Sequence, residues 1–288
     1  MKIAFIGLGT MGSPMANCLK EAGFSVVGWD AVDSACSRFE YSSSSLGDAL
    51  SQASVLITML PSGDDVQVVH SDPAMAGLAE NALLIDCSTI DVEASKALAT
   101  EAEAKGFQML DAPVSGGPEG AAAGTLAFMV GGEETALERA NPLFDCMGSK
   151  LTYFGDAGTG QAAKACHNLI CGITGLAVCE AFALADALDL DHDKFFNLCK
   201  NAAAQSWILE NRCPVPGPAP KAPASNDYAP GFAARLLAKD LGIARDAAAA
   251  VGQDIPIGQE TARRYAEFAE GGGGNLDFSA IYRTIRQA

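Results

Sequence analysis

Ile3-Ala4-Phe5-Ile6-Gly7-Leu8-Gly9-Thr10-Met11-Gly12, followed by a helix-forming stretch and closed by Asp30, is the segment from which the rest of the chain is read. The four apolar residues have the length and flanks of a buried strand, and the glycines after them keep a G-x-G-x-x-G spacing. Each glycine has its own reason. Gly7 permits the tight strand-to-helix turn, Gly9 lets the backbone approach a pyrophosphate, and Gly12 lets the helix pack closely on the strand. The helix then aims unpaired N–H groups and the positive end of its dipole at the diphosphate. Asp30, about 20 residues on, closes a second strand and is placed to accept from both ribose hydroxyls of an adenosine. Strand, helix and acid agree, so the loop, with Leu8 and Met11 at its intervening positions, reads as a dinucleotide site and not as a bare turn. A carboxylate repels a 2′-phosphate, and Ala31, Val32 and Asp33 offer no arginine to receive one, so NAD is expected over NADP. Aspartate also suits the cap of a following helix, and that reading of Asp30 stays open here.

Outward from this unit, apolar runs recur at Val55 to Leu60, Leu83 to Ile85 and Phe107 to Leu110, alternating with helical patterns such as Glu93 to Glu103. Strand alternating with helix implies an α/β, Rossmann-type, doubly wound parallel sheet. Ligands on such sheets bind at the carboxyl ends of the strands. Those ends carry Leu60-Pro61-Ser62, Ser88-Thr89 and Asp111-Ala112-Pro113, which places Leu60, Pro61 and Thr89 on the rim of the cofactor cleft. Near Gly158 the chain changes character. From Gln161 to about Leu190 it is rich in Ala and Leu and lacks proline, as in one long helix, and the remainder of the chain is helical in period. The expected organisation is a dinucleotide-binding domain over 1–158 and an all-helical domain over 159–288. Pro214 to Pro230 is too rich in proline for regular helix and reads as an ordered loop. The Ser42 to Ser45 and Gly271 to Gly274 runs read as plain loops.

Composition narrows the class. The chain has 288 residues, enough for two cores, and a net charge of −16, which argues against nucleic acid and anionic membrane surfaces as partners. Nine cysteines show no Cys-x-x-Cys pair, and His70, His167 and His192 lie apart, so no metal site is expected. The cysteines read as small buried hydrophobes in a reducing compartment. The fingerprint starts within the first ten residues, so no cleaved leader is expected. The longest apolar helical run, Leu169 to Cys179, is shorter than a bilayer. A cytoplasmic enzyme is expected.

A proton must move when hydride moves, and Lys164 is the candidate. On an anonymous helix a lysine is usually solvated, but Ala162, Ala163, Ala165 and Cys166 leave Lys164 the one charge in an apolar stretch, with Asn168 a turn later on the same face. Burial beside a cleft would suit such a lysine to serve as general base. Ser115-Gly116-Gly117, after the strand ending at Asp111, combines a hydroxyl with open backbone N–H groups and could receive a small carboxylate, although such a segment is more often only a turn.

Together the Gly7 to Gly12 loop, Asp111-Ala112-Pro113-Val114-Ser115-Gly116-Gly117, Leu126-Ala127-Phe128-Met129-Val130-Gly131-Gly132, the Gly-x-Gly-x-x-x-Lys run to Lys164 with Asn168, and Lys239-Asp240-Leu241 resemble the motifs of the β-hydroxyacid dehydrogenase family, in order along almost the whole chain. The resemblance implies Lys164 as catalytic lysine and Asn168 as a substrate-orienting partner. It implies Ser115, Gly116 and Gly117 as carboxylate receptor, Lys239 as a contact near the nicotinamide and substrate, and Asp240 as the group that positions Lys239. Trp207 falls where a substrate-wall aromatic is common, although a core tryptophan is about as plausible. Within the family, Pro214 to Pro218 and Asn226 to Phe232 point to 3-hydroxyisobutyrate as substrate, oxidised by NAD to methylmalonate semialdehyde in valine catabolism, in a homodimer or homotetramer. Two rivals remain: a reductase of tartronic, succinic or glyoxylic semialdehyde, and a catalytically silent dinucleotide-binding interaction protein. An imine reductase on the same scaffold is a third, and usually lacks the lysine. One departure stands out. The family usually has two asparagines in a row, and here His167 replaces the first; His167 reads as structural.

Overall fold

The computed structural model describes residues 1–286. The chain divides into two compact units, Met1–Lys164 and Ala165–Ala288. Unit 1 begins with β1 (Lys2–Ile6), α1 (Gly12–Glu21), β2 (Ser25–Trp29), α2 (Asp33–Cys36), α3 (Leu46–Leu50), β3 (Val55–Thr58), α4 (Gly63–Val69) and α5 (Asp72–Met75). It continues with β4 (Leu83–Asp86), α6 (Val92–Ala104), β5 (Gln108–Asp111), β6 (Val114–Ser115), α7 (Gly117–Ala122), β7 (Leu126–Gly132), α8 (Glu134–Met147) and β8 (Gly148–Gly155).

The strands form one sheet in the order β2-β1-β3-β4-β5-β7-β6, with β8 beside β7. From β2 to β5 the pairing is parallel, as the alternation of strand and helix requires. Along β1 the period of two sends Ile3 and Phe5 into one hydrophobic cluster and Ala4 and Ile6 into another. Both faces of the strand are therefore buried, and its sequence is continuously apolar. The Leu126 to Gly132 stretch, one of the family motifs, is β7, which runs antiparallel to β5 and β6. The sheet is thus doubly wound and parallel up to β5 and mixed beyond it.

α9 (Thr159–Ala187) runs from unit 1 into unit 2, which then contains α10 (His192–Lys200), α11 (Trp207–Asn211), α12 (Ala234–Ala250), α13 (Pro256–Phe268) and α14 (Tyr282–Arg286). Leu176, Cys179 and Phe182 of α9 share a core with Leu237 and Leu241 of α12, Tyr265 of α13, and Phe278 and Ile281. The proline-rich loop is ordered from within: Val215, Ala219 and Ala222 are buried, and the Tyr228 hydroxyl donates to Pro214 O at 2.5 Å. Asp277, fully buried, gathers the end of that loop. One carboxylate oxygen accepts from Gly231 N and Phe232 N, the other from Ser279 N and Oγ, and Arg212 Nε lies 3.6 Å away.

Three expectations are corrected. The glycine run 271–274 is not a plain loop: a π-type turn covers Ala269–Gly273, broken at Gly272 where φ is +100°. Only Cys87, Cys179 and Cys213 are buried; Cys166 is exposed and the rest are half-buried. Finally, α9 extends well past Leu169 to Cys179, and by length and composition it is apolar enough to cross a bilayer. A core helix has the same composition, and Leu176, Cys179, Phe182 and Ala185 are used in that way.

Candidate active site

The dinucleotide cradle lies where the chain, having placed β2 on one side of β1, returns to place β3 on the other. Such a reversal opens a crevice at the carboxyl ends of the two strands. Gly7 has φ +99°, and a Cβ there would sit 2.3 Å from Met59 O, so the loops after β1 and β3 touch and only glycine fits between them. A Cβ at Gly12 would sit 1.8 Å from Gly7 O, whereas one at Gly9 would meet nothing within 4 Å. Gly7 and Gly12 close the turn, and Gly9 faces open space. Met11 precedes α1 without a side-chain cap; in the first turn Ser13 N donates to Gly9 O at 3.1 Å and Pro14 has no N–H, which leaves the Gly12 amide to a ligand.

Asp30 is held at four atoms. Its Oδ2 accepts from Leu8 N at 2.7 Å and its Oδ1 from Val32 N at 2.8 Å. Its own N–H donates to Cys36 Sγ at 3.2 Å, and the thiol donates to Asp30 O at 3.3 Å. Each carboxylate oxygen has a second lone pair, so the acid is oriented and still able to accept a ribose hydroxyl. The Leu8 side chain is buried in the core, so this residue serves the loop through its amide. Leu60 donates its N–H to Ser88 Oγ at 2.9 Å, while Pro61 is exposed and Thr89 half-buried. The cradle fits a dinucleotide in glycine clearance, the uncapped start of α1 and the oriented acid.

Beneath the rim lies a buried polar network. Asp86, at the end of β4, accepts from Thr58 Oγ1 at 2.7 Å and Ser88 N at 3.1 Å, and burial pushes its carboxyl up. Asp111, at the end of β5, accepts from Gly158 N at 2.7 Å and Gln161 N at 2.8 Å, capping the first turn of α9. Burial pushes the Asp111 carboxyl up, against the pull of these N–H groups. The Gln161 side chain donates to Ser88 O at 2.8 Å and accepts from Ile90 N at 3.2 Å. Gly160 has no room for a side chain, because a Cβ would lie 2.5 Å from Met129 O and 2.6 Å from Asp111 O.

That clamp sets Lys164, one turn further along α9. Lys164 is 7% exposed, and its Nζ donates to Val114 O at 2.7 Å. Ser115 follows Val114 and pairs with Ala127 of β7. Gly116 and Gly117 then take φ of +141° and +66°, a turn that requires glycine. Unit 1 therefore brings Lys164 against the Ser115-Gly116-Gly117 segment.

Within unit 2, Asn168 is 2% exposed and its Nδ2 donates to Asp240 Oδ2 at 2.6 Å, while Lys239 Nζ lies 3.4 Å from Asp240 Oδ1. His167 Nδ1 lies 2.9 Å from Asn168 Oδ1. Trp207 is 59% exposed at the start of α11, with the Arg212 guanidinium 5.1 Å from its ring centre, so it is not a core tryptophan. Asp86, Ser88, Gln161 and Cys36 join the site without a motif to announce them. The available signal was a polar residue at the carboxyl end of an apolar strand, as in Leu83-Leu84-Ile85-Asp86. Among the described residues no cluster of His, Cys, Asp and Glu could hold a metal.

Residues 2–155 match the sequence model of the NAD binding domain of 6-phosphogluconate dehydrogenase, and residues 158–285 that described as NAD-binding of NADP-dependent 3-hydroxyisobutyrate dehydrogenase. A probable 3-hydroxyisobutyrate dehydrogenase of Mycobacterium tuberculosis is 44% identical over 99% of this chain and 97% of its own length. An NAD-dependent L-serine dehydrogenase of Pseudomonas aeruginosa is 40% identical over 98% and 97%. A solved structure of Mycobacterium tuberculosis 3-hydroxyisobutyrate dehydrogenase with L-serine superposes with a TM-score of 0.93, at 44% identity and 99% coverage of both chains. Fold and site define a dinucleotide-dependent oxidoreductase. The chain belongs to the β-hydroxyacid dehydrogenase family and is an NAD-dependent hydroxyacid dehydrogenase.

Proposed function

We propose that the protein oxidises 3-hydroxyisobutyrate to methylmalonate semialdehyde in valine catabolism, with Lys164 as general acid and base. The observation that carries the reading is Lys164 itself, buried, clamped through the first turn of α9, and donating to the carbonyl that precedes Ser115. NAD, when bound, accepts hydride from the carbinol carbon. Ser115, Gly116 and Gly117 receive the substrate carboxylate. Lys164 takes the hydroxyl proton during oxidation and returns it to the aldehyde oxygen in reverse. Asn168 orients the hydroxyl, Lys239 contacts substrate and nicotinamide with Asp240 holding it, and Trp207 lines the substrate. Gly7, Leu8, Gly9, Met11, Gly12, Leu60, Pro61 and Thr89 hold the cofactor, and Asp30 selects NAD. The exposed Ile170 and Leu184 of α9, with Leu188 just past its end, support a homodimer or homotetramer, and we place the enzyme in the cytoplasm.

The second reading is oxidation of L-serine, favoured by the similar L-serine dehydrogenase. The two acids share the carboxylate and the 3-hydroxyl and differ at C2, where serine carries an ammonium and 3-hydroxyisobutyrate a methyl group. Initial rates with NAD and NADP across 3-hydroxyisobutyrate, 3-hydroxypropionate, L-serine, glycerate and 4-hydroxybutyrate decide between them. A preference for L-serine, or for NADP, refutes the first reading. Lys164→Ala is expected to abolish turnover while NAD still binds; full activity in that variant refutes the role of the lysine.

A further inference from the structure

His167, one residue before Asn168 on α9, touches the side chain of Asn168. Asn168 Nδ2 and Oδ1 face different partners, Asp240 Oδ2 at 2.6 Å and His167 Nδ1 at 2.9 Å. The carboxylate is acceptor-only and ion-paired with Lys239, so the amide must turn its NH2 toward Asp240. Its carbonyl then faces the imidazole. A carbonyl only accepts, so the ring must carry hydrogen on Nδ1, which either the neutral Nδ1–H tautomer or the imidazolium provides. One alternative exists within the geometry: Cys171 Sγ lies 3.7 Å from the same nitrogen and could donate to a bare Nδ1. That arrangement would point a lone pair of Nδ1 at the Asn168 carbonyl, or flip the amide and set two oxygens 2.6 Å apart at Asp240. Both cost more than a weak thiol hydrogen bond returns.

We propose that His167 is a positioning residue. Its Nδ1–H and Asp240 grip Asn168 from opposite ends, so that the amide presents its one remaining N–H to an acceptor atom of the substrate, the carbinol or carbonyl oxygen. The inference rests on the reading that Asn168 touches substrate. An asparagine at position 167 places a donor nitrogen as far from its Cα as Nδ1 of histidine, so His167→Asn retains the grip and His167→Leu loses it.

The first test is the tautomer in the wild-type enzyme, read from the ring 15N shifts. With only three histidines in the chain, His167→Asn assigns the signal by its disappearance. Hydrogen on Nδ1 is expected, and a bare Nδ1 in the neutral ring overturns the proposal. The second test is steady-state kinetics with the favoured 3-hydroxy acid. His167→Leu is expected to lower kcat roughly ten- to a hundred-fold, the scale of a misplaced contact at a reacting centre. KM for NAD and the melting temperature should hold. His167→Asn should recover kcat to within about three-fold, and Cys171→Ala should leave it unchanged. Equal losses in His167→Leu and His167→Asn, or a full kcat in His167→Leu beside an inactive Asn168→Ala, overturn the positioning role alone. A fully active Asn168→Ala overturns the reading of Asn168 and this inference with it.

Discussion

His70, at the end of α4, is 2% exposed, and neither ring nitrogen has a hydrogen-bond partner among the described residues. Burial, with a smaller repulsion from Lys105, lowers its pKa from 6.5 to about 4. A base whose folded pKa is depressed leaves the unfolded chain binding more protons between the two values, so stability falls as pH falls through that window. The contribution is fully present above pH 6.5, declines at up to about 1.4 kcal/mol per pH unit, and levels off below about pH 4. Its total is about 3 kcal/mol. Asp86 and Asp111 act with the opposite sign, because burial raises their carboxyls and stability is lost as pH rises through their folded values. The experiment must therefore be a difference. Urea unfolding of unit 1 is followed by Trp29 fluorescence in a Trp207→Phe background, with and without His70→Leu, from pH 7.5 down to 4. The carboxyl effects cancel between the two proteins, and the stability of the His70 protein relative to its leucine variant should drop by about 3 kcal/mol over the window. A difference that stays flat with pH would show that His70 is not held neutral by burial.

Two further outcomes concern the buried and half-buried acids. On the proposed role of Asp30, Asp30→Ala removes an acceptor for the ribose hydroxyls and the charge that repels a 2′-phosphate, so kcat/KM for NAD should fall about ten- to a hundred-fold while that for NADP holds or rises, as initial-rate kinetics with each cofactor will show. Asp277→Ala strands the N–H groups of Gly231, Phe232 and Ser279 and leaves the half-buried Arg212 guanidinium without its counter-ion. The expected loss is about 3–5 kcal/mol, read as a lowered melting transition of unit 2; a transition that does not move would contradict the hub role.

Much of unit 1 is legible in the sequence because its signals are local. Gly7, Gly9, Gly12 and Asp30 sit within one βαβ unit, and the apolar runs at Val55 and Leu83 each precede a helix. The features that escape depend on pairings remote in the chain. Nothing near Leu126 says that β7 runs against β5, since a buried strand has the same composition in either direction. The grip of Asp111 on Gly158 and Gln161 spans about 50 residues, and that of Asp240 on Asn168 spans 72, so each residue taken alone is an unremarkable polar side chain. The shared face of Lys164 and Asn168 can be read from helical spacing. The carbonyl of Val114 as the partner of Lys164 cannot, because backbone acceptors leave no mark in a sequence. His167, offset by one position from that face, reads as structural on helical spacing. Its contact runs sideways, to the neighbouring side chain, which a face-of-helix argument does not consider.

The three buried cysteines make the protein its own recorder of opening events. Thiol alkylation needs both access and thiolate. Burial withholds both, pushing Cys213 up to about 11 and Cys87 and Cys179 well above the usual thiol value. Cys87 lies in unit 1, Cys179 and Cys213 in unit 2, whereas Cys166 is exposed and reacts without any opening. Under a brief pulse of alkylating reagent, each buried site is modified only while its own surroundings are open. A mass spectrum of digested peptides then gives the opening frequency of each unit in a single sample. Saturating NAD should slow the clock at Cys87, which adjoins the cofactor rim at Ser88, because a ligand that binds only the folded state suppresses opening.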